Sequence, residues 1–268
     1  MGIVAAPCDP GDPGFCAPGV SAFYPKPLFD FTVAGIHFQI TRIMLISYIV
    51  TAALLFVLVA AVRRPQLVPG RLQWLGESAY SFVRDGIARE VIGREGLRFA
   101  PYLATLFLFI LANNLLGIVP LAQIAPTSKI ALPAFLAIIS WVMFNWVGIR
   151  RHGFVGYFRP IVKMPGVPAP MLILVTPIEV FSTLIVRPFT LAVRLFANMF
   201  AGHLLLLVFT LGAAYLITVG NFSAVFAPVS FAMAVIMTFF ELLVEILQAY
   251  VFTILTSTYI AGALEEVH

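Results

Sequence analysis

The sequence predicts an all-α integral membrane protein, and three observations carry that prediction. Of its 268 residues, 61% are hydrophobic and only 10% are charged, with a mean hydropathy of +1.02. A soluble domain is closer to a quarter charged. Uncharged apolar runs of about twenty residues, the length that crosses a bilayer as a helix, alternate with arginine-rich loops. Two further apolar runs near the C-terminus are longer still and hold arginine, glutamate and histidine at membrane depth. The formal net charge of +4 is no nucleic-acid footprint, because the arginines lie in loops flanking apolar runs, where they set orientation.

Residues 1–40 form an arm outside the membrane. No Lys or Arg precedes Lys26, and prolines at 7, 10, 13, 18, 25 and 27 break any apolar core, so the arm is not a secretory signal. It is expected to be irregular. Cys8 and Cys16 both lie in it. A disulfide and two free thiols are both open, since pairing cannot be deduced from sequence.

Residues 43–62 carry no charge and form the first span, closed by Arg63-Arg64-Pro65; Arg42 can snorkel to the interface. Residues 72–92 differ. Leu72, Leu75, Ala79, Phe82, Val83 and Ile87 recur at helical spacing, with Glu77, Arg84, Asp85, Arg89 and Glu90 between them. That is an amphipathic helix, lying either on the membrane surface or packed on protein. Residues 99–119 form a second span, stopped by Pro120, and residues 130–149 a third, stopped by Arg150-Arg151. The segment 63–98 holds seven Arg and four acids, and 150–163 holds Arg150, Arg151, Arg159 and Lys163 without an acid. Both are expected to be cytoplasmic, which puts the arm and the 120–129 loop outside.

Residues 171–219 contain no obvious loop. As one helix they extend about 73 Å, against a hydrocarbon core of about 30 Å. Either the segment breaks into two spans or it runs steeply tilted, and the same choice applies to residues 223–263. On a helix, Glu179, Thr183, Arg187, Thr190, Arg194 and Asn198 form one polar stripe at spacings of four, four, three, four and four. His203 comes nine residues after Arg194 and points to nearly the opposite side. Glu241, Glu245 and Gln248 make a second stripe, with Tyr259 on the same face. Two carboxylates one turn apart in an apolar segment do not both ionise easily, and an imidazole can exchange protons near neutral pH.

Each group has a plainer reading. Thr183 and Thr190 fit as helix–helix glue, Arg194 as a structural partner of a glutamate, and His203 as a packing residue. Two arginines, three carboxylates and a histidine within one hairpin exceed what packing requires and point to an ion or proton path. With one intramembrane His and no intramembrane Cys, no haem or zinc site is expected and no cofactor is called for. A free-standing transporter using the same hairpin competes with this reading, although no internal repeat supports it. A membrane-embedded enzyme would need a nucleophile–base motif, phosphate loop or metal cluster, and none is visible.

From about residue 40 onward the chain resembles subunit a of the F-type ATP synthases. The run Arg187-Pro188-Phe189-Thr190-Leu191-Ala192-Val193-Arg194-Leu195-Phe196-Ala197-Asn198-Met199-Phe200-Ala201-Gly202-His203 is similar to the family signature around its arginine. Leu247-Gln248-Ala249-Tyr250-Val251-Phe252 is similar to the motif of the last helix. Asn113-Asn114-Leu115-Leu116-Gly117 with Pro120 and Pro126-Thr127 resembles a third family pattern. The resemblance implies five transmembrane helices plus the interfacial helix, with the last two helices long, steeply tilted and paired as a hairpin against a rotating ring of c subunits. It implies a bacterial cell membrane, an outside N-terminus, a cytoplasmic C-terminus, and b-type peripheral stalk subunits with the rest of F1Fo as further partners.

By the same resemblance the chain is a non-catalytic, proton-translocating stator subunit. Arg194 would face the ring carboxylate and separate two aqueous half-channels, with Arg187 supporting. His203 and Glu241 match the family's acid/base pair near the outer half-channel, in the order found in mitochondrial relatives. Asn198 and Gln248 match channel-lining positions. Glu179 resembles an acid near the inner half-channel but stands one residue further from Arg194 than in relatives, so either a helical bulge realigns it or the role transfers imperfectly. Lys129 departs from the Asp that many relatives carry, which removes the basis for an acidic channel mouth there. Glu245 matches no family position with a role, but its place on the Glu241–Gln248 face makes it a further candidate proton-translocation residue. The transported ion would be set by the ring's own site, with H⁺ favoured by the titratable His203/Glu241 pair.

Overall fold

Arg42 begins a 21-residue helix, α1 (Arg42–Val62), in a computed structural model that describes residues 29–33, 36–62, 70–119, 125–162, 169–219 and 222–265. Preceding it, strands β1 (Phe29–Val33) and β2 (Ile36–Ile40) pair antiparallel, with Phe31 opposite Phe38. The arm is therefore not irregular throughout. Phe29, Phe31 and Val33 alternate with Asp30 and Thr32, the two-residue period of a strand. Cys8 and Cys16 lie outside the described residues.

Helix α2 (Arg71–Val83) passes into a π-helical segment, Arg84–Ile92, and a 3₁₀ turn, Arg94–Arg98. Val83, Ile87 and Ala88 are fully buried, while Trp74, Leu75 and Phe82 are exposed. The C-terminal half thus packs on protein, and the N-terminal half keeps an apolar surface of the kind that lies against lipid.

Helix α3 (Ala100–Leu115) is followed by turns in which Gly117 N–H donates to Asn114 O and Ile118 N–H to Leu115 O. Its 16 residues extend about 24 Å. Helix α4 (Ala131–Val162) runs past Arg150 and Arg151 and breaks instead at Gly153, whose φ of 74° is costly for any residue with a Cβ. Arg150 lies over the Trp146 ring, 5.1 Å from its centroid, so the charged pair is accommodated on a continuing helix. Helix α5 (Ala169–Phe181) passes through a π turn, Ser182–Val186, into α6 (Arg187–Val219), and a 3₁₀ turn, Phe222–Phe226, leads into α7 (Ala227–Leu264). Neither long apolar run breaks into two helices within its described residues.

Among the described residues, four helical runs are long and apolar enough to cross a membrane: Arg42–Ala60, Ala131–Phe158, Leu174–Thr218 and Ala224–Leu264. Ala100–Leu115 is apolar but shorter. Tyr48, Ile49, Phe56, Val155, Leu174, Ile217 and Phe239 are among many large apolar side chains left exposed, a surface far beyond what a water-soluble monomer tolerates.

The chain divides into two compact units. One comprises Met1–Leu54, Leu111–Lys129 and Ala197–Gln248; the other comprises Leu55–Ile110, Ile130–Phe196 and Ala249–His268. The second has an apolar interior of Leu103, Ile110, Phe144, Leu195, Phe252 and Ile260. The first differs in kind: Asn113, Asn114, Thr127, Ser128, His203, Glu241, Glu245 and Gln248 are all buried in it. There Ser230 on α7 donates to Phe209 O on α6 at 2.9 Å, an interhelical hydrogen bond typical of membrane helix pairs.

Candidate functional site

The polar interior of the first unit is built by α6, α7 and the described parts of the 111–129 segment, residues 111–119 and 125–129. His203 Nδ1 and Glu241 Oε1 lie 2.9 Å apart, with the two side chains 2% and 3% exposed. Gly202 leaves room beside the contact: a Cβ there would stand a tight 3.3 Å from Glu241 Oε1. One helical turn toward the C-terminus, Glu245 is wholly buried, and neither of its carboxylate oxygens has a hydrogen-bond partner among the described residues. Next on the same face, Gln248 Oε1 accepts from Asn198 Nδ2 at 2.7 Å, while Gln248 Nε2 is buried without an acceptor among the described residues. Buried polar groups are nearly always satisfied. Several polar atoms without partners among the described residues along one face of one helix set this interior apart from a packed core.

The 111–129 segment closes this interior with amides and hydroxyls. Thr127 Oγ1 donates to Asn114 Oδ1 at 2.8 Å, Asn114 Nδ2 donates to the Glu245 carbonyl at 3.4 Å, and Ser47 on α1 donates to Asn113 Oδ1 at 2.7 Å. These residues were expected only as a motif. Two adjacent amides in an apolar run were the signal that they also hold position. Lys129, at the edge of the segment, is partly buried, which pushes its ammonium pKa down.

In the second unit, Glu179 Oε1 lies 3.5 Å from Arg187 Nη2 and accepts a 3.5 Å hydrogen bond from Thr183. Arg187 also lies over the Tyr259 ring, 5.4 Å from its centroid, and that ring packs on Phe144. Positions eight apart on a regular α-helix differ in direction by about 80°. The π turn Ser182–Val186 lies between them and absorbs one residue, which brings Glu179 and Arg187 to within about 20°. Tyr259, placed by sequence on the Glu241 face, serves Arg187. Among the described residues, Thr190 bonds to the carbonyls of Val186 and Arg187, in the same continuous helical run.

Arg194 follows on α6 with its side chain exposed, although Leu191 and Leu195 beside it are buried. It makes no hydrogen bond or ion pair among the described residues. An arginine on an apolar helix with nothing among the described residues to neutralise it is a costly arrangement. Among the described residues no group of three or more His, Cys, Asp or Glu could hold a metal ion.

A multi-pass membrane protein with a titratable interior and an exposed arginine that lacks a partner among the described residues is the class these features define. The family model for the ATP synthase A chain matches residues 43–261. The chain is 47% identical over 256 residues to ATP synthase subunit a of Parafrankia sp. strain EAN1pec, covering 95% of this chain and 86% of that one. It is 45% identical to the Frankia alni subunit a over 94% of this chain and 87% of that one, and 43% identical to the Rhodococcus erythropolis subunit a over 93% and 90%. The chain belongs to the ATP synthase subunit a family.

Proposed function

We propose that the chain is the proton-translocating stator subunit of a bacterial F-type ATP synthase, non-catalytic by itself. Five helices cross the membrane, α3 being the short fifth, with the N-terminus outside and the C-terminus in the cytoplasm. Helices α5–α6 and α7 are too long for an upright crossing and lie tilted against a ring of c subunits, each with a carboxylate in mid-membrane. A proton from outside reaches the ring through a half-channel lined by His203, Glu241, Gln248 and Asn198. It neutralises one ring carboxylate, travels with the ring through lipid, and leaves by a second half-channel near Glu179. Arg194 stands between the two paths. Its guanidinium stays charged, so it attracts the deprotonated carboxylate and repels a proton crossing directly. Moving one charge through 100 mV releases about 2.3 kcal/mol, and rotation captures that only when the short circuit is closed.

The observation that carries this reading is the 2.9 Å His203–Glu241 contact, buried between two long apolar helices. The exposed Arg194 supplies the reason for an external carboxylate partner. The π turn between Glu179 and Arg194 supports the bulge alternative for Glu179, since it supplies the one-residue correction that the longer spacing requires. Peripheral stalk subunits of the b type and the rest of F1Fo complete the assembly.

Proximity to the ring is testable by cross-linking. With Cys8 and Cys16 replaced by serine, Thr190→Cys, one turn before Arg194, is expected to form a disulfide with a cysteine placed beside the ring carboxylate of the c subunit. Leu195→Cys, on the buried side, is expected to give none. Absence of any cross-link from the exposed positions flanking Arg194 would overturn the placement.

A further inference from the structure

We propose that Glu245 is a third proton-carrying group of the outer path, acting between the His203–Glu241 pair and the ring. The inference rests on the function proposed above and adds a residue to it. Glu245 is fully buried and both its oxygens lack hydrogen-bond partners among the described residues, as do Glu241 Oε2 and Gln248 Nε2. With Glu241 four residues before it and Gln248 three after, these atoms make a continuous polar line on α7. A purely structural glutamate at such depth would be expected to hold a donor, because an unpaired buried carboxylate is among the costliest groups to keep.

Position 117 provides the second observation. A Cβ built on Gly117 would lie 2.9 Å from Glu245 Oε1 and 3.2 Å from His203 Cε1. The carboxylate and the imidazole therefore border the same small space, and glycine leaves that space to them. Among the described residues, the titratable groups facing Glu245 are His203 from α6 and Glu241 on α7. The 111–129 segment contributes Asn114, which donates to the Glu245 carbonyl rather than to its side chain, and Gly117, and neither is titratable. In each passage one Glu245 oxygen accepts a proton from the His203–Glu241 pair, and the proton on the other oxygen departs toward the ring carboxylate. The charge of Glu245 is the same before and after.

The test compares passive proton flux through F1-stripped vesicles, as a function of pH, for wild type, Glu245→Gln, Glu245→Asp and Gly117→Ala, with Arg194→Ala scored for ATP-driven pumping in unstripped vesicles. Glu245→Gln keeps shape and hydrogen bonding but cannot carry a proton. Its flux is expected to fall about tenfold with an altered pH profile, and Glu245→Asp is expected to recover part of the loss. Gly117→Ala, which crowds the carboxylate, is expected to fall in the same direction. Should Glu245→Gln fail to assemble, pH-difference infrared spectra of the complex carrying Glu245→Asp are expected to show a shifted protonated-carboxyl band, and an unshifted spectrum overturns the role. Wild-type flux and pH profile in Glu245→Gln, with Arg194→Ala inactive, overturns the role of Glu245 alone. Normal pumping by Arg194→Ala overturns the underlying function instead.

Discussion

Vesicles carrying Arg194→Ala are expected to show no ATP-driven acidification, with pumping at least about a hundredfold below wild type. Removing one member of a desolvated charge pair costs about 2–5 kcal/mol, and about 2.8 kcal/mol, inside that range, already gives such a ratio. Since Arg194 makes no hydrogen bond or ion pair among the described residues, and its side chain is exposed rather than packed, the substitution leaves the interior untouched. The chain is therefore expected to assemble at normal levels, which separates loss of coupling from loss of folding. Arg194→Lys is expected to assemble equally well and to pump only a small fraction of wild type, because a compact ammonium cannot hold a carboxylate with two parallel donors and surrenders its proton more readily. Normal pumping by either variant would remove the arginine from the mechanism and the proposed function with it.

Much of this candidate site was legible because strongly polar side chains in an apolar run are conspicuous. Arg194, His203, Glu241, Glu245 and Gln248 stood out for that reason, and helical spacing placed the last three on one face. Spacing alone was incomplete elsewhere, although Glu179, Thr183 and Arg187 of the predicted stripe do come together. The stripe from Glu179 to Asn198 was drawn on a uniform helix, but the π turn at Ser182–Val186 changes the phase within it. Only the extra residue between Glu179 and Arg194 hinted at that. Arg150 and Arg151 suggested a helix end because charge stops a span, whereas a helix stops where its backbone geometry fails, and here that is Gly153. The hairpin at 29–40 was hidden by the prolines upstream of it, although its period-two pattern was present. The amides of Asn113 and Asn114 were visible as a motif, but their contacts join residues up to 131 positions apart, and no local pattern encodes a pairing at that separation.

Exchange of the buried pair gives the sharpest test of what the motif requires. His203→Ala and Glu241→Gln are each expected to reduce proton flux through stripped vesicles by about a hundredfold. Each change removes a titratable group, and the alanine also strands a carboxylate that is 3% exposed and now lacks its partner. A stranded buried charge of this kind costs about 3–5 kcal/mol. The double exchange, His203→Glu with Glu241→His, restores one imidazole and one carboxylate at the same contact. Gly202 leaves room for the change, since no Cβ there presses on residue 241. If the requirement is an imidazole and a carboxylate in contact, whichever helix carries each, the exchanged chain is expected to conduct at least about tenfold better than either single variant. If it conducts no better, the order on α6 and α7 matters in itself, and the two positions must differ in what they exchange protons with: the outer water on one side, and Glu245 and the ring on the other.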